Sequence, residues 1–145
     1  MTEQQKKLHM VYFTVVILNI VNIIFWIFIL FPFKVVDITN IRIINKEIHP
    51  GDTLEFEADF CKYFESEYIA HRKLVNHYEY YLAEQRGQTK SKGCHTVTKY
   101  VPIPSYVDAG EYHVHTTLIH KIFGFRQVQS EYNTPVFQVT AKTEE

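Results

Sequence analysis

A run of 24 residues without a single charge, residues 10–33, dominates the hydropathy pattern of this chain. A bilayer core about 30 Å thick is crossed by about 20 helical residues. The run is therefore long enough to span a membrane with some tilt. It is also too apolar on every side to be an amphipathic surface helix. We expect a transmembrane helix over 10–33, a short polar tail over 1–9, and a single-pass protein held in a lipid bilayer.

A cleaved signal peptide is the main alternative for this segment. Such a peptide has a basic start, about 7–15 apolar residues and a small-residue cleavage site. Lys6 and Lys7 fit the basic start, but the apolar run is too long and its last five residues, ILFPF, contain no small-x-small site. An uncleaved signal-anchor is favoured. Because a short positive tail tends to stay in the cytoplasm, we expect the N-terminus in the cytoplasm and the C-terminal domain on the other side.

Two amides interrupt the apolar run. Asn19 and Asn22 are three residues apart and share one helix face. Amide hydrogen bonds between helices in a bilayer are worth roughly 0.6–2 kcal/mol. One interpretation is that this face contacts another helix, from a second copy or a different protein. The other is that the helix satisfies both amides locally.

After the apolar run, in residues 34–141, apolar and polar side chains tend to alternate with a period of two. The clearest case is residues 53–63, where apolar and acidic side chains alternate; the apolar set is Leu54, Phe56, Ala58 and Phe60, and the acidic set is Glu55, Glu57 and Asp59. This pattern is typical of a strand with one buried and one wet face. Further β-rich runs are residues 35–45, 94–103, 111–123 and 126–141, the last broken near Pro135.

Two stretches are less regular. Residues 64–84 fit both helical and strand spacing, and their tyrosine and valine content favours strand. Residues 85–93 (QRGQTKSKG) read as a polar loop, and 142–145 as a charged tail. Strands that follow one another with no helix between them predict a mainly β fold. We expect an antiparallel, immunoglobulin-like β-sandwich of about seven strands over 34–141.

One short motif carries a family resemblance. The residues Asp108, Ala109, Gly110, Glu111 and Tyr112 resemble the D-x-G-x-Y start of the sixth strand in immunoglobulin-like domains. The resemblance implies a buried tyrosine whose hydroxyl bonds back to nearby backbone. The family's cysteine two residues later is Val114 here, and its buried tryptophan has no counterpart, since the only tryptophan, Trp26, lies in the apolar run.

A second resemblance concerns the turn and the overall plan. Pro50, Gly51 and Asp52, ahead of an alternating strand, resemble the start of a second strand in bacterial and viral sandwich domains. A short anchored sandwich also resembles small membrane proteins encoded by bacteriophages.

Charge and motif content narrow the functional classes. Without the charged residues of the N-terminal tail, Lys6, Lys7 and Glu3, the chain has 13 basic and 15 acidic residues. This balance argues against a nucleic-acid binder. The sequence has no G-x-S-x-G, P-loop, H-E-x-x-H or dinucleotide fingerprint. We expect no catalysis and no cofactor.

The two cysteines, Cys61 and Cys94, are not in a C-x-x-C, which disfavours a zinc ribbon or a redox motif. On an oxidising side of the membrane they could form a disulfide that closes a loop of about 30 residues. The alternative is two free thiols. In the alternation of this strand Cys61 falls on the same face as the acidic set, which is expected to face solvent. Any such bridge is therefore expected at the periphery.

Histidine is the remaining candidate metal ligand. His113 and His115 lie on one face of a predicted strand, and an H-x-H pair can hold a metal. His95 and His120 are possible further ligands. No spacing fixes a third ligand, so the metal site is a minor hypothesis.

Tyr78, Tyr80 and Tyr81 form an aromatic cluster that could be a recognition patch, because tyrosine offers large contact area at low entropic cost. The alternative is that the rings pack within the sandwich. Together these features predict a membrane-anchored interaction or structural protein that binds a protein partner or self-assembles. An accessory subunit of a larger membrane complex is the alternative, and a metal-binding domain is a weaker one.

Overall fold

The computed structural model describes residues 3–31, 33–45, 47–88 and 91–141. The chain divides into two compact units, Met1–Phe33 and Lys34–Glu145. The charged tail expected over 142–145 lies outside the described residues.

The first unit contains one helix, α1 (Glu3–Leu30). It begins seven residues before the predicted start, because the polar stretch EQQKKL consists mostly of good helix formers. None of its residues is buried. By length and composition α1 could cross a membrane, a property that single-pass anchors share with signal sequences.

The second unit is mainly β, as predicted, and is built from two antiparallel sheets. In the described part of the chain its strands are β1 (Val36–Ile43), β2 (Thr53–Lys62), β3 (Glu67–Val75), β4 (Glu79–Tyr81), β5 (Gln85–Gln88), β6 (Gly93–Pro102), β7 (Gly110–Ile122), β8 (Arg126–Asn133) and β9 (Phe137–Val139). One sheet has the order β1-β2-β6. The other has the order β4-β3-β7-β8, with β5 also paired to β3 and β9 to β7.

Most of the strand predictions agree with this arrangement. The ambiguous residues 64–84 do form strands, β3 and β4, and the break expected near Pro135 separates β8 from β9. The polar loop expected over 85–93 is wrong in its first half, where β5 extends the β3 edge. The residues of β5 are polar or glycine, and Gln85 and Arg86 are exposed, so hydropathy alone does not reveal this strand.

The sheets face each other over one apolar core. Its largest fully buried side chains include Tyr112, Phe56, Leu54 and Leu74, from both sheets. Gly51, in the turn before β2, has φ +90°, a conformation that glycine adopts without strain. In the same turn Asp52 accepts a hydrogen bond of 2.9 Å from the backbone of His49.

The strand registers give the sandwich two distinct ends. At one end Val36 pairs with Lys62, and Glu67 pairs with Lys121; we call this the Val36 end, because the first strand of the sandwich begins there. At the other end lies the turn between β3 and β4; we call this the hairpin end.

Candidate functional site

Exposed tyrosines surround the β3–β4 turn. Asn76 holds this turn, with its side-chain oxygen accepting a 2.7 Å hydrogen bond from the backbone of Tyr78. Tyr78 is 71% exposed, Tyr81 is 72% exposed, and Tyr106, from the loop before β7, is 68% exposed. We call Tyr78, Tyr81 and Tyr106 the hairpin aromatic patch.

The third tyrosine of the predicted cluster has a different role. Tyr80 is half-buried, and its ring lies 6.0 Å from that of Tyr106 and 6.3 Å from that of Tyr112. Packing within the sandwich therefore describes Tyr80, and a recognition role for the other two tyrosines stays a prediction. Tyr80 packs against the core, whereas Tyr78 and Tyr81 present their rings to solvent.

Tyr112 is the link between this end and the core. It is buried, and its hydroxyl donates a 3.0 Å hydrogen bond to the backbone carbonyl of Asp108, as the immunoglobulin-like motif implies. Burial raises the pKa of Tyr112, and the neighbouring Tyr80 raises it further. The hydroxyl therefore stays protonated as a donor, which fixes the ring on which Tyr80 packs.

The structure places Cys61 and Cys94 directly opposite each other on β2 and β6, joined by a disulfide. Cys61 is half-buried and Cys94 is exposed, which agrees with the expected peripheral position. A bridge between neighbouring strands of one sheet differs from the inter-sheet bridge of immunoglobulin domains. It fixes the β2–β6 register near the Val36 end.

The candidate metal-ligating histidines are not brought together with a third ligand. His113 and His115 share the outer face of β7, where His115 contacts Asn133 through Nδ1 at 2.7 Å. His120 is on the opposite, inward face of β7, and His95 is in the other sheet. Among the described residues no group of three or more His, Cys, Asp or Glu side chains could hold a metal ion.

The two amides of α1 were predicted to contact another helix or to be satisfied locally. The amide of Asn19 donates a 2.9 Å hydrogen bond to the carbonyl of Val15 one turn earlier. The side-chain amide of Asn19 is therefore hydrogen-bonded within its own helix. A helix partner for the face that Asn19 shares with Asn22 stays a prediction.

A cleft between the sheets, near the Val36 end, was not predicted. It encloses about 60 Å³ and is lined from both sheets. Its aromatic and aliphatic walls are Val36, Ile38, Ala58, Phe60, Tyr68, Leu118 and Tyr132; its basic residues are Lys62, Arg72, Lys99 and His120. None of the described residues that line it is acidic.

The basic side chains lie against aromatic rings. The ammonium of Lys62 is 5.1 Å from the centre of the Phe60 ring, and that of Lys99 is 6.0 Å from the Tyr68 ring. Cation–π contact allows a charge to stay near an apolar wall. The cleft therefore combines positive charge with aromatic surface.

Three buried polar atoms have no hydrogen-bond partner among the described residues: Nε of Arg72 and Nε2 of His120, two residues that line the cleft, and Oγ1 of Thr116. Arg72 and Thr116 are paired directly across β3 and β7. His120 contacts the Ser66 hydroxyl through Nδ1 at 3.0 Å. Burial, and next the charge of Lys62, lower the pKa of His120 to about 4, so this imidazole is neutral at pH 7.

One sequence signal could have located the cleft. Arg72 occupies an inward position between Ala70 and Leu74, and Lys99 occupies one between Val97 and Val101. A basic residue at a core position of an alternating strand is a departure from the pattern that needs an explanation.

Comparison with solved structures supports the sandwich. The C-terminal domain of wzt matches with a TM-score of 0.52 and 5% identity over 79% of this chain and 78% of that one. At this identity the likeness shows the fold alone. A β-glucosidase from Listeria innocua in complex with isofagomine gives 0.37 and 12% identity, over 73% of this chain and 16% of its own. Spo0M, a sporulation control protein from Bacillus subtilis, gives 0.33 and 7% identity, over 77% of this chain and 51% of its own.

The last two TM-scores are too low to carry an argument. No family model and no curated protein sequence matches the chain. The resemblance to bacteriophage membrane proteins stays a prediction. The fold is a β-sandwich that follows an N-terminal apolar helix.

Proposed function

We propose that this chain is a single-pass membrane protein without catalytic activity, whose sandwich recognises a protein partner through the hairpin aromatic patch. The N-terminus would be cytoplasmic and the sandwich would lie on the other side of the membrane. The observation that carries the proposal is the exposure of three tyrosines, Tyr78, Tyr81 and Tyr106, at the hairpin end of the sandwich.

The anchor part of the proposal is supported by α1, whose length and composition suit a membrane span. The orientation is supported by the charge of Lys6 and Lys7 on the N-terminal side. The Cys61–Cys94 disulfide supports it independently, because disulfides persist in oxidising compartments and are rare in the cytosol.

The recognition part is supported by the side chains themselves. Tyrosine and tryptophan are enriched at binding hot spots, since a large ring with two side-chain torsions loses little entropy on contact. Tyr80 contacts both Tyr106 and the buried Tyr112, so one ring of the patch packs on a side chain that is itself packed against the core. The patch is at the hairpin end, where a partner would not compete with the chain connection at the Val36 end.

The test is purification of the full-length chain in mild detergent, with native mass and co-purifying proteins measured together. The variant Tyr78→Ser/Tyr81→Ser/Tyr106→Ser removes the patch. Tyr100→Ser is the matched control, because Tyr100 is an exposed tyrosine on β6 in the other sheet. We expect a stoichiometric partner that is lost in the triple variant and kept in the control.

The other outcomes separate the alternatives. If the partner belongs to a larger membrane complex, the chain is an accessory subunit. A homo-oligomer lost in the triple variant makes the partner a second copy. A homo-oligomer that dissociates only in Asn19→Leu/Asn22→Leu places the contact on α1 and overturns the role of the patch. A bare monomer in the wild type overturns protein recognition altogether.

A further inference from the structure

We propose that the cleft near the Val36 end binds an oxyanion, a phosphate or carboxylate group carried by a small organic molecule, with Arg72 as its principal contact. This site goes beyond the protein partner proposed for the hairpin end. It uses residues that neither the fold nor the aromatic patch requires.

The argument starts from Arg72, which is only 5% exposed. Its Nη1 donates to the side-chain oxygen of Gln85, a neutral acceptor, and its Nε has no partner. Within the described chain, no carboxylate lies at salt-bridge distance from its guanidinium. A buried charge is costly unless a counter-charge and hydrogen bonds compensate it. Arg72 is therefore a buried cation without a counter-charge among the described residues, and an anion in the cleft that it lines would supply one.

The surroundings of Arg72 strengthen the positive field. Lys62 and Lys99 also line the cleft, and no described lining residue carries a negative charge. Such a field repels metal cations and attracts anions. Guanidinium groups bind carboxylate and phosphate through two parallel hydrogen bonds, and the field adds to this geometric match.

The remaining orphaned atoms can also donate hydrogen bonds. The Thr116 hydroxyl lies on the strand position paired with Arg72, and Thr116 is fully buried. His120 is 1% exposed and lines the cleft; if the Ser66 hydroxyl donates to its Nδ1, its Nε2 carries the hydrogen. Both atoms are shielded from solvent while the cleft is empty, so Arg72, which lines the cleft, is the contact that an oxyanion would reach directly.

The size and the walls of the cleft define the ligand further. A volume of about 60 Å³ corresponds to roughly four water-sized sites of about 15 Å³ each, enough for one oxyanion group and its nearest atoms. Phe60, Tyr68 and Tyr132 provide aromatic surface beside this space. An anion with a compact apolar substituent fits better than a fully hydrated inorganic ion.

The test uses the ¹⁵N-labelled full-length chain in micelles of a neutral detergent, at constant ionic strength. The probes are phenyl phosphate, benzoate and inorganic phosphate, with benzyl alcohol as the uncharged control. The readouts are the side-chain Nε–H resonance of Arg72 and the backbone amide of Thr116. We expect saturable shifts with the two organic anions, weaker binding of inorganic phosphate, and no saturation with benzyl alcohol.

The variants separate a binding role from a structural one. Arg72→Met should weaken phenyl phosphate at least tenfold, followed through the Thr116 amide. Arg86→Met is the matched control, because Arg86 is an exposed arginine on β5 that pairs with Glu84 at 2.9 Å; it should leave the affinity within twofold. If Arg72→Met does not fold, Lys99→Met carries the test, since Lys99 is half-buried and should weaken binding about threefold.

Nanodiscs distinguish two sources of the oxyanion. If the Arg72 resonance shifts in phosphatidylglycerol discs but not in phosphatidylcholine discs, the oxyanion belongs to an anionic lipid headgroup. If it shifts only after phenyl phosphate is added, the oxyanion belongs to a soluble molecule. The proposal is overturned if benzyl alcohol binds as well as phenyl phosphate, if no probe saturates, or if the Arg72→Met and Lys99→Met variants bind phenyl phosphate like the wild type.

Discussion

Removal of the Cys61–Cys94 disulfide should lower the stability of the sandwich by a calculable amount. The bonded residues are 33 positions apart. A cross-link that closes a loop of this length removes unfolded-state entropy worth about 3.7 kcal/mol at 25 °C. The bridge lies at the periphery of the three-stranded sheet, so few core contacts are lost with it. We therefore expect the variant Cys61→Ser/Cys94→Ser to lose about 3–4 kcal/mol of unfolding free energy.

The assay is urea unfolding of the full-length chain in neutral detergent. The only tryptophan, Trp26, is in α1, so tryptophan fluorescence does not report on the sandwich. Near-ultraviolet circular dichroism of the tyrosines does, because Tyr80, Tyr106 and Tyr112 lie close together in the folded domain. The wild type in reductant is the matched control and should unfold at the same urea concentration as the double variant. A loss below about 1 kcal/mol, or a reduced wild type that unfolds like the oxidised one, would contradict the loop-closure reasoning.

Three further predictions concern single side chains. Arg72→Met should leave the ligand-free protein equally stable or more stable by about 1–3 kcal/mol, because it removes a buried charge without a counter-ion; a loss in urea unfolding would mean that Arg72 is structural. Tyr112→Phe should cost about 1 kcal/mol for the lost hydrogen bond to Asp108, measured as a lower urea midpoint. The pKa of His120 is about 4 in the folded protein, below the ordinary histidine pKa of 6.5, so the unfolded state binds the proton first as the pH falls. The free energy of unfolding should therefore be highest above pH 6.5 and fall between pH 6.5 and pH 4. The variant His120→Phe should show a smaller fall over this range. If its dependence on pH is the same as that of the wild type, His120 is not the cause.

The periodicity of the sequence was sufficient for the architecture because each strand of a half-buried sheet is encoded locally. Residues 53–63 alternate, and β2 is found at Thr53–Lys62. The D-x-G-x-Y motif likewise predicted the Tyr112 hydrogen bond, which spans only four residues. Strand β5 was missed because its residues are polar or glycine.

The cleft could not be predicted for a different reason. Arg72, Lys99 and His120 come from three strands in two sheets, and only the strand registers bring them to one place. Each residue taken alone is an irregularity in a strand pattern. The separation of Tyr80 from Tyr78 and Tyr81 has the same origin, since the face that each ring takes depends on the pairing of β4 with β3.

The position of β1 has a mechanical consequence. This strand is the first of the sandwich and begins at Val36, and among the described strands it is paired with β2 alone. If a partner at the hairpin end and the membrane pulled in opposite directions, the tension would run along β1 and shear it against β2. The hydrogen bonds of the whole ladder would then share the force, whereas a pull perpendicular to the strand would break them one after another. Because the disulfide ties β2 to β6, these two strands would stay covalently joined at Cys61 and Cys94 after β1 slips.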